Sequence, residues 1–379
     1  MGGRKVNQQR QKEDVNLLKL EMRGITRRTF IQFCAAMAVI LGLERSYGEV
    51  FAEAATQAMG KKPVIWLQGQ GCTGCSTSLL SSLNPGPAEI LLDMISMRFN
   101  STVMNSSGFL SMEVLEETIK EGNYLLAVEG SIPTADPRFC YSKEMGFAEL
   151  VTKAAKNAEA VVAVGTCAAF GGIPRAGITG AVGVSEIVQD KPVVNIAGCP
   201  MNPAWLIGTL LYYLTFNELP ALDKESRPLA YYGLNNIHDT CPRVSFFEKG
   251  QFLVDWNDPA TANWCLLLAG CKGPMTYADC NRNWWNDGVN SCIRSGAPCA
   301  GCVQPQFYEQ FAPLYAPLFV PGPKDKEAVS EKPPQEPVPE ASGLDAKSVL
   351  LGVGIAAAPI VGNKIAQAIR SKKGDVKSG

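Results

Sequence analysis

Thirteen cysteines and one histidine carry most of the chemistry open to this chain. A single histidine excludes multi-histidine metal sites, and any Ser-His-Asp or Cys-His catalysis would have to run through His238. An odd cysteine count also excludes a framework in which every thiol is paired. Cys72 and Cys75 stand at C-x-x-C spacing, as do Cys299 and Cys302, and His238 with Cys241 repeats the spacing with an imidazole. Cys167, Cys199, Cys265, Cys271, Cys280 and Cys292 stand apart in sequence. Three chemistries compete for these thiols. Disulfides are the default for an exported protein, structural zinc suits the C-x-x-C pairs, and iron–sulfur clusters take four thiolates or a close substitute. Small residues beside Cys72, Cys167, Cys199 and Cys302 let backbone N–H groups approach inorganic sulfur. Spacing alone does not separate zinc from iron–sulfur.

The elements that must position these residues are legible as short apolar runs. Val64–Leu67, Tyr124–Val128, Ala160–Val164 and Val193–Ile196 read as strands, separated by helical stretches such as 148–158. Continuous apolar runs of this kind indicate an α/β fold with a parallel sheet buried on both faces. Ligands of open α/β sheets bind at the carboxyl ends of the strands. Cys72, Cys75, Cys167 and Cys199 all fall there, on three strand ends. Beyond Pro220 the periodicity fades, and His238 with seven cysteines occupies roughly 65 residues. A segment with so little core of its own is held together by what its cysteines bind.

The remaining composition bounds the class. With 379 residues, 46% hydrophobic and 19% charged, the chain has material for two or three domains. Lys+Arg number 35 against 36 Asp+Glu, a balance that argues against a nucleic-acid binder. Thr26-Arg27-Arg28-Thr29-Phe30-Ile31 precedes an apolar run, Cys34 to Leu43, that is too short to span a bilayer. This is the pattern of a twin-arginine (Tat) signal peptide over 1–54, with Ala52-Glu53-Ala54 as cleavage site. The Tat route exports proteins that have already loaded cofactors in the reducing cytoplasm. The body then divides into 55–220, bearing the sheet, and 221–320, bearing most cysteines. Residues 321–347, rich in Pro, Glu and Lys, read as an extended linker. Residues 348–369 read as a single transmembrane helix, and the basic tail 370–379 as cytoplasmic by the positive-inside rule.

From Pro63 to about Phe319 the chain resembles the small, electron-transfer subunit of [NiFe] hydrogenases. The resemblance is carried by Cys72-Thr-Gly-Cys75, Glu129-Gly-Ser-Ile-Pro133, Gly165-Thr-Cys167 and Ala197-Gly-Cys-Pro200. It continues through His238-Asp-Thr-Cys241, Gly270-Cys-Lys-Gly-Pro274 and Pro298-Cys-Ala-Gly-Cys302. It implies a flavodoxin-like N-terminal domain followed by an irregular cluster-binding domain. It implies a proximal [4Fe–4S] cluster on Cys72, Cys75, Cys167 and Cys199, and a distal [4Fe–4S] cluster on His238, Cys241, Cys265 and Cys271. The medial cluster falls to Cys280, Cys299 and Cys302. Many members hold a [3Fe–4S] cluster there with a proline at the place of Cys292; a fourth thiolate makes a medial [4Fe–4S] cluster the expectation, as in the [NiFeSe] branch. Gly288-Val-Asn290 also resembles that branch.

The same resemblance implies the partners: a large subunit that bears the Ni–Fe site, and a quinone-linked membrane subunit or a cytochrome as electron acceptor. It places the body on the periplasmic side of the cell membrane. Oxygen-tolerant members carry extra cysteines where this chain has Gly74 and Gly172, so the enzyme is expected to be inactivated by oxygen. Glutamates common in the family are replaced by Gly71 and Thr77, which removes any proton or polar role from those places. Cys34 leaves with the leader and Cys140 is expected to be a small buried hydrophobe. Glu129 reads either as a polar contact to the large subunit or as an ordinary strand-end carboxylate. Eleven cysteines and His238 then make three sets of four. The competing readings are the cluster-bearing subunit of quinone oxidoreductases and a zinc- or disulfide-stabilised exported protein.

Overall fold

The computed structural model describes residues 27–317, apart from 42, 59–61, 84–85, 88–89, 91–94, 143–144, 234 and 312–314. The chain divides into two units, Met1–Val329 and Ser330–Gly379. The second unit lies outside the described residues, and with it the expected anchor over 348–369 and the tail 370–379. Most of the linker expected over 321–347 falls there too. No helix among the described residues is long and apolar enough to cross a membrane.

Five parallel strands form the central sheet: β1 (Pro63–Gln68), β2 (Ser96–Asn100), β3 (Tyr124–Glu129), β4 (Ala158–Val164) and β5 (Val193–Ile196). Their order is β2-β1-β3-β4-β5, the doubly wound arrangement of flavodoxin-type sheets. Register places Val64 beside Leu125, Val128 beside Ala163 and Val164 beside Ile196. Every residue of β3 and β5 is buried, because helices cover both faces and no position can alternate to water. The edge strand β2 (SMRFN) escapes the sequence reading because its first three residues are only half-buried and lack an apolar run.

Seven helices matter for the site: α1 (Arg27–Ile40), α2 (Tyr47–Ala58), α3 (Gly74–Leu80), α4 (Gly108–Glu121), α5 (Phe147–Asn157), α6 (Gly165–Phe170) and α7 (Pro203–Phe216). Helix α7 starts from Asn202, whose side chain accepts the Ala204 N–H at 3.0 Å, with Pro203 at the first helical position. It is apolar on nearly every side, so one exposed face would be costly. Leu206, Ile207 and Leu210 face β1, β3 and β4.

Helices α1 and α2 pack on α7. Cys34, Ala38 and Phe51 are fully buried there, and the rings of Tyr47 and Phe51 lie 6.4 and 5.9 Å from that of Phe216. The sequence reads 1–54 as a leader apart from the fold; in the structure Cys34, Met37, Ala38 and Phe51 of α1 and α2 are buried in the core. Ala52 of the expected cleavage site is buried within α2.

Beyond 220 the regular elements shrink to single turns, Leu229–Tyr232, Val244–Glu248 and Trp285–Gly288, with 3₁₀ turns at Gly273–Met275 and Pro305–Tyr308. Turn hydrogen bonds and isolated bridges such as Phe252 with Cys265 carry the backbone.

Candidate metal centres

The carboxyl ends of β1, β4 and β5 bring Cys72, Cys75, Cys167 and Cys199 together. Burial pushes the Cys75 thiol up; a backbone bond from Met201 opposes this, while the charges of Glu129, Cys167 and Cys199 add to it. Cys167 is pushed up to about 12, first by burial and then by Cys199 and Cys72. Cys72 and Cys199 are exposed, as are Gly71, Thr73 and Pro200, so this group opens on one side to the surface.

Glycines make the space. Gly165 has φ +86° and a Cβ there would lie 2.3 Å from the Cys75 sulfur; at Gly172, φ +56°, it would lie 2.8 Å from that of Cys167. A Cβ on Gly74 would lie 3.0 Å from the Cys72 sulfur. Gly71 and Thr77, the departures from the family's glutamates, are both exposed.

Glu129 is neither a surface contact nor an idle strand end. It is 4% exposed, and its Oε1 accepts the backbone N–H groups of Cys75 and Ser76 at 3.0 and 3.1 Å. Its Oε2 accepts from Trp66 Nε1 at 3.0 Å, Gln68 Nε2 at 3.1 Å and the Ser76 hydroxyl. The carboxylate therefore caps α3 and fixes Cys75, a charge-assisted use of unsatisfied helix N–H groups. Glu129→Gln turns an acceptor into a donor facing other donors. It is expected to cost about 2 kcal/mol or more and to lower the thermal midpoint of the purified subunit pair by roughly 5 °C. An unchanged midpoint would show the cap to be dispensable.

The second group lies in the irregular segment. Burial raises the Cys241 thiol, opposed by the Arg243 N–H at 3.4 Å from its sulfur, while Cys271 adds to the rise. Cys265 is pushed up to about 11 by burial, with Cys271 and Cys241 contributing after the opposing Leu267 bond. The Cys271 sulfur accepts from the Gly273 N–H at 3.4 Å and from the backbone of Cys299. His238 is half-buried; its carbonyl accepts the Cys241 N–H at 3.1 Å and its ring stands edge-on to Phe247 at 4.4 Å.

The third group contains Cys280, Cys299, Cys302 and Cys292. Cys280 is raised well above its ordinary value by burial, then by Cys302, Cys299, Asp279 and Cys292. Cys302 is pushed up to about 12 by burial, with a bond from the Cys199 backbone opposing and the charges of Cys199 and Cys292 adding. The charge of Cys292 thus acts on both Cys280 and Cys302, although its own surface is exposed. Cys140, outside all three groups, is half-buried against the core and its thiol is raised by burial.

Residues that sequence reasoning missed fasten the groups to one another. The Thr166 hydroxyl accepts the Gly198 N–H at 2.9 Å and donates to the Cys302 carbonyl, tying the first group to the third. Arg227, buried and paired with Asp223 at 2.8 Å, donates to the Val303 carbonyl at 2.8 Å and lies over the Tyr232 ring. Tyr232 in turn donates to the Ala197 carbonyl at 2.6 Å. Trp205 of α7 donates to Asp279 at 2.8 Å, and burial pushes that carboxyl up to about 7. Only the position of Thr166 between Gly165 and Cys167 offers a signal in the sequence; the others become partners through the fold.

The donor sets, rich in thiols, fit the soft-ligand chemistry of iron–sulfur clusters. Among the described residues no group of three or more His, Cys, Asp or Glu side chains is set to hold a metal ion. Amide N–H groups aimed at Cys241, Cys271 and Cys299 sulfurs, each at 3.4 Å, are the contacts that thiolates around inorganic sulfide use.

Comparison with known proteins agrees. The family that describes the C-terminal part of the NiFe/NiFeSe hydrogenase small subunit matches residues 232–315, and that described as NADH ubiquinone oxidoreductase, 20 Kd subunit, matches 72–213. The periplasmic [NiFeSe] hydrogenase small subunit of Desulfomicrobium baculatum is 40% identical over 317 residues, covering 77% of this chain and 99% of the relative. The Hydrogenase-1 small chain of Escherichia coli K12 is 37% identical over 297 residues, covering 77% and 79%. A solved chain of the H2-activated [NiFeSe] hydrogenase of D. baculatum superposes with TM-score 0.63 at 41% identity, over 68% of this chain and 99% of that one. On fold, motifs and relatives together, the chain belongs to the small-subunit family of [NiFe] and [NiFeSe] hydrogenases.

Proposed function

We propose that this chain relays single electrons between the Ni–Fe site of a hydrogenase large subunit and an acceptor, through three iron–sulfur clusters held by its own side chains. The observation that carries the reading is a series of linked thiol groups. The Cys199 backbone bonds the Cys302 sulfur, and the Cys299 backbone bonds the Cys271 sulfur. Cys72, Cys75, Cys167 and Cys199 would hold the proximal cluster. Cys280, Cys292, Cys299 and Cys302 would hold the medial one, and His238, Cys241, Cys265 and Cys271 the distal one. When bound, the clusters supply one-electron storage at potentials set by charge, hydrogen bonds and exposure.

The protein's own part is to hold and insulate. Gly165 and Gly172 leave room beside the sulfurs, Glu129 fixes Cys75, and Thr166 and Arg227 lock the loops that carry the ligands. The active site of the enzyme lies in the large subunit, and this chain makes and breaks no bonds in substrate. The open side at Cys72 and Cys199 suits a covering partner.

For location, we read 1–54 as a twin-arginine leader and 348–369 as a single-pass anchor. The body would then lie on the periplasmic face, beside a quinone-linked membrane subunit or a cytochrome. The name of the D. baculatum relative, a periplasmic enzyme, supports the side. The packing of α1 and α2 on α7 describes the chain before any removal of its leader.

The test is metal and sulfide analysis of the chain purified with its large subunit, followed by hydrogen-dependent dye reduction. About twelve iron and twelve sulfide per small subunit are expected for three cubanes, together with hydrogen-driven reduction of the dye. Zinc, or thiols fully paired as disulfides, would overturn the reading.

A further inference from the structure

Between the medial and distal sets the chain buries a lysine. Lys272 is 1% exposed and follows Cys271 directly. Its Nζ donates to the Ala316 carbonyl at 2.7 Å, and its backbone N–H to the Cys299 carbonyl at 2.7 Å. Its own carbonyl accepts the Thr276 hydroxyl at 2.7 Å, so main chain and side chain are both tied. Cys271 belongs to the proposed distal set and Cys299 to the proposed medial set. A charge is costly to bury unless neighbours of opposite sign compensate it. Here the chain on either side belongs to the two ligand sets: Cys271 precedes Lys272, and the Cys299 carbonyl accepts its backbone N–H.

We propose that Lys272 is a positioning residue for the last internal electron step, its buried ammonium raising the potentials of the medial and distal centres together. The proposal rests on the reading that both sets hold iron–sulfur clusters. In the step, one electron leaves the medial centre and arrives at the distal one, and no bond or proton is exchanged. Hydrogen oxidation in the large subunit supplies the electron and the acceptor removes it. A cation beside both centres stabilises the more negative, reduced state of each, at an energy that low dielectric magnifies. Acting on both, it lifts them without opening a large gap between them, so transfer stays near balance in either direction.

The experiment is an EPR-monitored redox titration of the purified subunit pair with Lys272→Met, Lys272→Gln and Lys272→Arg. In Met and Gln variants the reduced-to-oxidised ratio of the medial and distal centres should fall at least tenfold at fixed ambient potential, about 59 mV for one electron. The proximal centre should move by less than half as much, and Arg should keep all three near their original values. Gln retains a donor for Ala316 without the charge. Unchanged medial and distal potentials in either neutral variant, with iron content intact, overturn the role. If both neutral variants lose iron and Arg keeps it, the charge itself is required at this place, which supports the role. Iron loss in Arg as well reduces Lys272 to packing. Absence of iron from the unaltered protein would instead end the cluster reading, whatever Lys272 does.

Discussion

Cys292→Ala is expected to turn the medial set from four thiolates into three. EPR of the oxidised subunit pair should then show a three-iron signal approaching one per small subunit, where the unaltered protein shows none. Iron content should fall from about twelve to about eleven per small subunit. The charge of Cys292 acts on both Cys280 and Cys302, so its thiolate is the fourth ligand in the proposed medial set. Its loop does not depend on the side chain. The Trp285 N–H bonds the Asn290 carbonyl at 2.8 Å, the Ser295 N–H that of Ser291 at 3.0 Å, and the Ala297 N–H that of Cys292 at 2.9 Å. Because Cys292 is exposed, alanine leaves no cavity of the kind that destabilises a core. The spectroscopic change should therefore arrive without a loss of folding. A stoichiometric three-iron signal in the unaltered protein would sink the idea, since Cys292 would then be idle.

The parts of this architecture that the sequence discloses are those that a single run of residues determines. β3 and β5 are readable because a strand buried on both faces is apolar at every position. The placing of Cys72, Cys75, Cys167 and Cys199 at strand ends follows from those strands. β2 is not readable, because an edge strand with Ser96, Met97 and Arg98 half-buried shows neither a run nor an alternation. Glu129 is hidden for another reason: a strand-end glutamate is the same letter whether it meets water or the N–H groups of Cys75 and Ser76. The packing of α1 is not legible either, because an apolar run has two outlets. Cys34 to Leu43 is too short for a bilayer, yet Cys34, Met37 and Ala38 are buried where α1 packs on α7, whose all-round apolar surface needs a cover on the side away from the sheet. That demand is present in Trp205 to Phe216, but only the fold says what meets it.

Gly165→Ala should abolish the proximal centre while the rest of the chain still folds. At φ +86° alanine carries backbone strain of about 1–2 kcal/mol. Strain alone is not the main effect. The added methyl would stand 2.3 Å from the Cys75 sulfur and 3.4 Å from the Gly198 carbonyl, inside the space the thiol occupies. Cys75 cannot retreat, because Glu129 holds its backbone N–H at 3.0 Å and α3 is packed through Leu79. The sulfur must rotate away, leaving three thiols in the set proposed for the proximal centre. Iron should fall by up to about four per small subunit, and cluster affinity at this place by about ten- to a hundredfold, as for disturbed surroundings of a metal ligand. Hydrogen-dependent dye reduction should fall in parallel, since the proposed relay would lose its entry point. Gly250→Ala separates the two causes: Gly250 has φ +68° with nothing within 4 Å of a Cβ, so it introduces strain without intrusion. If Gly250→Ala loses as much iron as Gly165→Ala, strain is the cause and the sulfur contact is irrelevant. If only Gly165→Ala loses it, the glycine is there to make room for a ligand.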